Sequence, residues 1–483
     1  MPTLPRPRQT YAIAVAVLFA VAAFYSVYKL TESPPTWYDE GIYIQVAHSF
    51  ATTGTQSVQI APGEFRQINF LTVGYPVIAP VALSLKLFGY TVLAARAPMA
   101  VFILLFAASA WLLLYRLAGP REALLGLALV ATFPLVYGNG KNVLGEVPGL
   151  FYTTLALLAL VRLEKNNFKG SSNYLWLGLA VGLTAATKPV FLLLPAGMGL
   201  VLLFHLRRIR PHWRDILVAV LAFFAPFLLW VVLQFGADAS LSAILGYYAN
   251  PYGVSSVPTT VAENLVRFFR ESTPLYCGAL MSVWLAALGV RVYTKEKISL
   301  AEQSAFVFSI LVLLAYLRTA GWYRYFFETI TLALIFAPIA FSTLARHAEK
   351  MLGNKAVYAG TACLIALSCM QLYQLNFSSW VADHYASTTV AQTSSYFTNF
   401  PKEKSIFVYN SPEAVTVLGT LNYYQYMRPI ESITYGEESL EALAKGIPDY
   451  VLIAPGNYEK NTNLFTQYTR DTEVGPYFLL KKI

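Results

Sequence analysis

Several charged side chains in this sequence stand directly beside long apolar segments, and an acidic pair comes first among them. Asp39 and Glu40 follow the first apolar segment and are flanked by Trp37, Tyr38 and Tyr43. A carboxylate at such a place can act as a general base that takes a proton from a hydroxyl group. Considered alone, the pair fits a solvated loop with interfacial Trp and Tyr side chains equally well.

A functional interpretation of the acidic pair is strengthened by other charged and aromatic residues at the ends of apolar segments. They are Arg96, Lys141, Glu146, Lys188, Arg318, Tyr323 and Arg324. Lys188 and Arg96 have an alternative interpretation as cations whose long stems reach the membrane surface, and so has Arg318. Lys141 and Glu146 are five residues apart, which is a poor spacing for a helical ion pair. Binding of an anionic head group is one reason to keep cations at these places.

Composition places the chain among polytopic membrane proteins. Its 483 residues are 56% apolar and only 13% charged, and its mean hydropathy is +0.51, whereas a soluble protein carries roughly 25% charged residues. The net charge of +9 is spread over short loops between apolar segments, so membrane topology explains it better than a nucleic-acid partner. The three cysteines all lie in apolar segments, and we expect no disulfide framework.

Eleven apolar segments have a length typical of membrane-spanning helices. They lie near residues 11–30, 94–115, 122–137, 143–161, 174–187, 189–206, 215–235, 274–293, 299–317, 323–342 and 355–373. The first could be a cleaved signal peptide, but it is long for one, and we interpret it as a retained span. The run Leu71–Gly89 contains Gly74, Pro76, Pro80 and Lys86, and we predict an interfacial helix there.

With this choice, Lys and Arg cluster on every second loop, as the positive-inside rule requires. The cytoplasmic cations are Arg6, Arg8, Arg116, Arg121, Arg162, Lys165, Lys169, Arg207, Arg208, Arg210, Arg214, Arg291, Lys295, Lys297, Arg346, Lys350 and Lys355. The two long outer loops are then about 31–93 and 236–273. We predict a multi-pass protein of the inner (plasma) membrane with a cytoplasmic N-terminus, and with the acidic pair and the second group of charges at the outer surface.

The part after residue 374 differs in composition and should form a small extracytoplasmic α/β domain over 375–483. Strands are predicted at Ser405–Tyr409, Asp449–Ala454 and Tyr477–Lys482, and helices at Pro412–Gly419 and Glu437–Lys445. This domain contains no nucleotide-binding fingerprint and no zinc-ligand spacing. The preceding part, 1–374, is the predicted transmembrane module.

These pieces suit the transfer of a sugar from a lipid phosphate to a hydroxyl. The leaving phosphate is already a stabilised anion, so it requires cations rather than a general acid. The acceptor hydroxyl is a weak nucleophile, so one carboxylate must take its proton. A single displacement of this kind inverts the anomeric centre. The substrate crevice should lie between the two long outer loops, where the second contributes Tyr247, Tyr248, Asn250 and Tyr252.

The order of motifs resembles the GT-C glycosyltransferases that use polyprenyl-phosphate sugars. The nearest branch (family 39-type) contains protein O-mannosyltransferases and the aminoarabinose transferases of lipid A. The resemblance covers roughly residues 10–345 and runs through Tyr38–Tyr43, the segment Gly74–Gly89, Arg96–Pro98, Lys141–Glu146, Gly182–Lys188 and Arg324–Tyr325. It implies a GT-C fold with about eleven transmembrane helices. One departure is Val73-Gly74-Tyr75-Pro76, which stands where a Lys-Pro-Pro often begins the interfacial helix.

The resemblance implies that Asp39 is the catalytic base and that Glu146 positions the acceptor or the base. Lys188 and Arg324 would then face the donor phosphate. The remaining predicted substrate-binding residues are Glu40, Tyr43, Arg96, Lys141 and Tyr323. No cofactor and no divalent metal are expected, because His48 is the only histidine of the outer loops before the C-terminal domain.

The leading hypothesis is therefore an inverting glycosyltransferase whose partners are a polyprenyl-phosphate-linked sugar, membrane lipids and an envelope glycolipid, glycan or protein acceptor. A transporter or lipid-glycan flippase would instead place ionisable residues at mid-membrane depth. A receptor or assembly subunit would not depend on Asp39 and Lys188. An oligosaccharide ligase or polymerase is a close variant of the leading hypothesis.

Overall fold

A computed structural model describes residues 7–68, 72–209, 212–235, 242, 256–353, 355–419, 421–430 and 433–483. The helices before the C-terminal domain are α1 (Pro7–Val27), α2 (Tyr38–Thr53), α3 (Tyr75–Phe88), α4 (Val92–Leu117), α5 (Pro120–Thr132), α6 (Pro134–Gly140), α7 (Glu146–Lys165), α8 (Ser171–Thr187), α9 (Leu193–Phe204), α10 (Leu206–Ile209), α11 (Trp213–Phe235), α12 (Val257–Arg270), α13 (Ser272–Tyr293), α14 (Leu300–Tyr316), α15 (Phe327–Leu352) and α16 (Lys355–Phe377). Short 3₁₀ turns, Pro189–Leu192 and Tyr323–Phe326, lead into α9 and α15.

Each of the eleven predicted segments is helical in the structure. Among the described residues, seven helices are long and apolar enough to span a membrane, and the pair α5–α6 would bring the number to eight. The predicted single span 122–137 is in fact this pair, which bends by 57° where Pro134 begins the second helix. Helix α9 has 12 residues and α14 has 17, short of the about 20 that a bilayer needs. The number eleven stays a prediction.

Helix α3 lies in the run that we predicted to be interfacial. It has 14 residues, which gives a length of about 21 Å, too short to cross a hydrocarbon core of about 30 Å. Leu87 and Phe88 at its C-terminal end are exposed. Helix α12 separates a polar from an apolar side and exposes Leu265 and Phe269. Its length and amphipathic character are also typical of a helix at a membrane surface.

The centre of the helical bundle is α15. Of its apolar window, 83% is buried, against 17% for α1 and for α11 at the periphery. Trp284 of α13 stacks on Phe336 of α15 with ring centroids 4.8 Å apart, and Phe191 and Phe308 stack nearby. Because α15 is enclosed by other helices, side chains at its first turn are held in a fixed direction.

The C-terminal domain is built on a mixed six-stranded sheet with helices α17 (Thr389–Thr398), α18 (Pro412–Val415), α19 (Glu437–Ala444) and α20 (Pro455–Lys460). Strands β1 (Ser57–Ala61) and β2 (Glu64–Gln67) form a hairpin in the first long loop. The strands of the C-terminal domain are β3 (Ile406–Tyr409), β4 (Tyr423–Ile430), β5 (Ile433–Tyr435), β6 (Tyr450–Ile453), β7 (Tyr468–Val474) and β8 (Tyr477–Lys482). The sheet order is β5-β4-β3-β6-β8-β7, and β3 is parallel to both neighbours. The three predicted strands are present. The division at residue 374 stays a prediction, and α16 continues three residues past it.

Helix α2 connects the two parts of the chain. The amides of Gln45 and Gln425 hydrogen-bond to each other reciprocally at 3.1 and 3.0 Å, and the Tyr38 hydroxyl donates to Asn410 Oδ1 at 2.8 Å. Between these bonds, Gly41 lies directly against the backbone of Pro412 and Glu413, so that a Cβ atom there would overlap it. The C-terminal domain therefore rests on the helix that carries the acidic pair.

We expect Gly41→Ala to destabilise the full-length protein by about 1–3 kcal/mol, because the added methyl group forces the domain off α2. The matched control is Gly199→Ala in α9, where the new Cβ would meet open space and alanine favours the helix. The apparent melting temperature in detergent micelles measures both. Equal melting temperatures for Gly41→Ala and the wild type would contradict the close packing of this interface.

Candidate active site

The acidic pair occupies the first turn of α2, where negative charge is favoured by the helix dipole. Consecutive residues on this turn point in different directions. Asp39 points toward Arg324, Glu40 toward Arg96, and Gly41 toward the C-terminal domain. Two adjacent carboxylates thus enter different environments, and the structure separates roles that the sequence left open.

Glu40 and Arg96 form a completely buried ion pair. Arg96 donates from Nε to Glu40 Oε1 at 2.7 Å and from Nη2 to Oε2 at 2.6 Å. The same carboxylate accepts the amide N–H groups of Val143 at 3.0 Å and Trp37 at 3.3 Å. Arg96 Nη1 donates to the carbonyls of Leu30 and Pro34, both at 2.8 Å. All charge in this pair is therefore satisfied by internal partners, and substrate binding by Glu40 and Arg96 stays a prediction.

Lys141 has a related role. Its side chain is buried and donates from Nζ to the carbonyl oxygens of Tyr28 at 2.7 Å and Ser33 at 3.1 Å. Burial, and next the charge of Arg96, lower the pKa of Lys141 to about 7. Asn142 adds a bond to the Pro35 carbonyl at 3.1 Å. Lys141 and Arg96 thus both bind carbonyl groups of the 28–35 segment, and substrate binding by Lys141 stays a prediction.

Asp39 and Arg324 form the accessible ion pair. Arg324 Nη2 lies 2.9 Å from Asp39 Oδ2, and the Asp39 side chain is 30% exposed whereas that of Arg324 is 12% exposed. The guanidinium also lies over the rings of Trp37, Trp322 and Tyr325 at 5.1, 5.0 and 5.4 Å. Its Nε and Nη1 atoms are buried without a hydrogen-bond acceptor. Such donors, held rigidly by aromatic stacking, are suited to an anionic ligand.

Glu146 and Lys188 form a second ion pair at the site. Lys188 ends α8 in an extended conformation, which is expected for a residue that precedes a proline. This conformation directs its side chain toward Glu146 at the first position of α7. Glu146 is fully buried, and its Oε2 atom has no hydrogen-bond partner. Asp39 and Glu146 both act electrostatically on Arg324, which places the two pairs in one site.

Two further groups complete the polar interior. Glu328 lies one turn after Arg324 and is buried. The charges of Glu146 and Lys188 act on its carboxyl group, whose Oε2 atom has no hydrogen-bond partner. Tyr43 is buried, and its hydroxyl is 2.5 Å from that of Thr72. Burial, and next the charge of Asp39, hold the pKa of Tyr43 well above its ordinary range, so it stays a neutral hydroxyl. Sequence reasoning missed Glu328, although an acidic residue inside an apolar span is a signal of function.

A cavity of about 430 Å³ lies against Arg324. Asn139 is one of the few polar residues that line it. Aromatic side chains dominate its wall, namely Trp37, Trp322, Tyr323, Phe327 and Trp380. Its lining is mostly apolar, and it is open on one side. A flat aromatic wall beside an arginine suits a ligand that combines an anionic group with apolar or sugar surfaces.

The structure thus brings Asp39, Tyr43, Glu146, Lys188 and Arg324 together, and their roles stay predictions. Tyr323 lines the cavity at one edge, and its hydroxyl donates to Glu271 of the second outer loop. Arg267 on α12 donates from Nη1 to the Gly321 carbonyl at 2.6 Å. The loop tyrosines 247, 248 and 252 and Asn250 lie outside the described residues. Within the described part of the chain, no group of three or more His, Cys, Asp and Glu is placed to hold a metal ion.

Comparison with known proteins agrees with this architecture. Residues 77–230 match the family described as dolichyl-phosphate-mannose-protein mannosyltransferase, and no curated protein sequence matches significantly. Apo ArnT from Cupriavidus metallidurans superimposes over 99% of both chains with a TM-score of 0.69 at 12% identity. The Archaeoglobus fulgidus oligosaccharyltransferase superimposes over 99% of this chain and 74% of its own, with a TM-score of 0.58 at 12% identity.

This chain has the GT-C glycosyltransferase fold. The resemblance and the fold class predicted from the sequence are thereby confirmed, and the protein is a multi-pass membrane protein like ArnT. The matched family segment contains Glu146 and Lys188, but Asp39 and Arg324 lie outside it. Within this GT-C fold, the assignment of the site therefore depends on the contacts described above.

Glu40→Gln tests the separation of the two carboxylates. The change leaves Arg96 charged, buried and only partly satisfied, so we expect a stability loss of about 3–5 kcal/mol. The apparent melting temperature is the measurement, with exposed Glu64→Gln on β2 as the matched control. If Glu40→Gln kept its melting temperature and yet lost all sugar transfer, Glu40 and not Asp39 would be the base.

Proposed function

We propose that this protein is an inverting, integral-membrane glycosyltransferase that moves a sugar from a polyprenyl phosphate to a hydroxyl group of an envelope acceptor. The observation that carries the proposal is the Asp39–Arg324 pair. It combines a partly exposed carboxylate with a guanidinium that has two buried, unused donor atoms. One group can take a proton, and the other can hold an anion next to it.

The donor phosphate would bind between the two cations of the site. Arg324 offers Nε and Nη1 to the phosphate oxygens, and Lys188 adds a partly exposed ammonium group. When the bond between the anomeric carbon and the phosphate oxygen breaks, its electron pair remains on the phosphate. The cations then stabilise the negative charge that develops there. Solved structures of this fold support a lipid phosphate, since ArnT is seen with undecaprenyl phosphate and the archaeal enzyme AglB with a dolichol phosphate.

Asp39 would act as the base on the acceptor side. Its carboxylate takes the hydroxyl proton as the acceptor oxygen bonds to the anomeric carbon on the face opposite the phosphate. Arg324 holds the Asp39 carboxylate in place through the 2.9 Å contact. Glu146 is buried and engaged by Lys188, so it positions the lysine rather than taking this proton. No cofactor enters this scheme.

The proposed orientation puts this site at the outer membrane surface and the N-terminus in the cytoplasm. Arg116 and Arg346 lie at the C-terminal ends of α4 and α15, whereas Arg96 and Arg324 lie at or just before their N-terminal ends. The basic loops and the candidate site are therefore at opposite ends of the bundle, which the positive-inside rule assigns to cytoplasm and exterior. A plasma-membrane enzyme with an extracytoplasmic C-terminal domain follows.

We expect Asp39→Asn to reduce sugar transfer by about 100-fold or more, as removal of a general base does. The measurement uses native-like membranes with a panel of labelled polyprenyl-phosphate sugars, and nucleotide sugars as a second donor set. Asp471→Asn, an exposed change in the C-terminal domain, is the matched control. Transfer that survives Asp39→Asn would move the base to another carboxylate. Labelled lipid that crosses the bilayer without any transfer would favour a flippase.

Arg324→Lys should act on donor binding rather than on the base. The charge remains, but the planar fork and its stacking on three aromatic rings are lost. We expect kcat/KM for the lipid-linked donor to fall about tenfold or more, because both the bound phosphate and the charge that develops on it lose a bidentate partner. Exposed Arg270→Lys at the end of α12 is the matched control. An unchanged kcat/KM for the donor would contradict the assignment of Arg324 to the phosphate.

A further inference from the structure

A second cavity lies at the opposite end of the bundle from the candidate active site. Its volume is about 350 Å³, and α4, α5, α13, α15 and α16 surround it. Ser342 on its wall is 18 residues after Arg324 along α15, which corresponds to about 27 Å. That distance is close to the thickness of a bilayer core. The cavity therefore belongs to the other membrane surface, the cytoplasmic one in the proposed orientation.

Charges of both signs face this cavity, from three arginines and two glutamates. Among the described residues, Arg121 donates to the Thr361 hydroxyl and Arg346 to the Ser342 carbonyl at 3.3 Å, so both guanidinium groups keep further donor atoms for a ligand. Glu122 accepts from the Ser342 hydroxyl at 3.0 Å, and Glu296 stands 4.0 Å from Arg346. These carboxylates retain acceptor capacity because each has four lone-pair sites.

The third arginine of the cavity is already occupied. Arg291 donates to Glu302 at 2.5 Å and to the Lys297 carbonyl at 2.5 Å. It is therefore less available to a ligand than the other two arginines. The side chains that remain to bind a ligand are two arginines and two glutamates. A simple anion would meet two carboxylates in this cavity, and like charges repel.

An unsatisfied polar atom marks the inner wall of the cavity. Thr343 lines it, is 3% exposed, and its hydroxyl has no hydrogen-bond partner. Buried hydroxyl groups are normally hydrogen-bonded, so one without a partner points to a missing ligand atom. Beside it the wall turns apolar with Leu125, Val357 and Leu364. The cavity thus has charged side chains on one part of its wall and apolar side chains on another.

We propose that this cavity binds the head group of a zwitterionic aminophospholipid, the phosphoethanolamine class. Arg121 and Arg346 hold the phosphate, Glu122 and Glu296 accept from the ammonium, and an acyl chain follows the apolar wall. A primary ammonium donates hydrogen bonds to carboxylates, whereas a quaternary choline group cannot and is recognised by aromatic faces. Phe341 is the one aromatic residue among the lining residues. This inference is independent of the proposed transfer reaction.

Bound lipid would connect helices that otherwise touch at few polar points. Arg121 and Glu122 are on α5, Arg346 is on α15, and Glu296 is on the loop after α13. Helix α16, whose apolar window is only 11% buried, closes the cavity through Thr361 and Leu364. A lipid in the cavity would therefore hold this peripheral helix against the bundle and raise the stability of the protein.

The test measures lipid retention on the full-length protein by native mass spectrometry, with phosphatidylethanolamine, phosphatidylcholine and phosphatidylglycerol of identical acyl chains. We expect phosphatidylethanolamine to bind about tenfold more tightly than the other two. The double variant Arg121→Gln, Glu122→Gln should lose this preference. Arg162→Gln, an exposed change outside the cavity, is the control.

Thr343→Val provides a second readout, because it removes only the unpartnered hydroxyl. We expect an unchanged or higher melting temperature without phosphatidylethanolamine and a smaller stabilisation when that lipid is added. The proposal is overturned if phosphatidylglycerol binds at least as tightly, if phosphatidylcholine binds equally, or if Arg162→Gln has the same effect. Equal binding of soluble glycerophosphoethanolamine would overturn the assignment to a membrane lipid.

Discussion

The buried pair of Glu40 and Arg96 holds together the segments on which the candidate active site depends. It joins the start of α2, the N-terminal part of α4, the 30–37 segment and the turn before α7 through charge-assisted hydrogen bonds. Burial of a charge is costly unless its partners are complete, and here each partner is internal. The direction of Asp39, one residue earlier, follows from this constraint, because rotating α2 would break the pair.

The two ion pairs that begin in the first turn of α2 differ in how many of their hydrogen-bonding groups already have partners. Glu40–Arg96 is saturated, so it gives rigidity. Asp39–Arg324 leaves donor atoms of the arginine unused and part of the carboxylate in solvent. Rigid groups with unused capacity are what preorganised catalysis requires, since they need not rearrange as charge develops. The C-terminal domain adds a second restraint by packing against Gly41, so helix α2 is fixed from both sides.

Charge is also distributed between the two ends of the bundle. The end that we propose to face outward has two cation–carboxylate pairs beside an aromatic cavity. The opposite end has a cavity lined by charges of both signs. Helix α15 connects the two ends, which are separated by about the thickness of a bilayer. Our two proposals therefore assign different lipids to the two membrane surfaces.

Much of this arrangement was predictable from the amino-acid sequence. Helical segments were identified because a bilayer demands long apolar runs. Helix α3 was recognised as different by its prolines and by the charge bias of the loops, which holds only if this run does not span the membrane. Asp39, Lys188 and Arg324 were found because charge beside apolar segments is rare. Strands β3, β6 and β8 have continuous apolar runs, whereas β7 is a mostly exposed edge strand without such a pattern. It was therefore missed, as was the Pro134 bend within a continuous apolar segment.

The sequence by itself determined the class of the chain, its helices and the set of charged residues at their ends. Only the tertiary structure decided which of these charged residues are satisfied by partners inside the protein. Glu40, Arg96 and Lys141 look as available as Asp39 and Arg324 in the sequence, yet they bind internal partners 56 to 113 residues away along the chain. The physical reason is that hydrogen-bond saturation depends on contacts between distant segments, which no local pattern encodes.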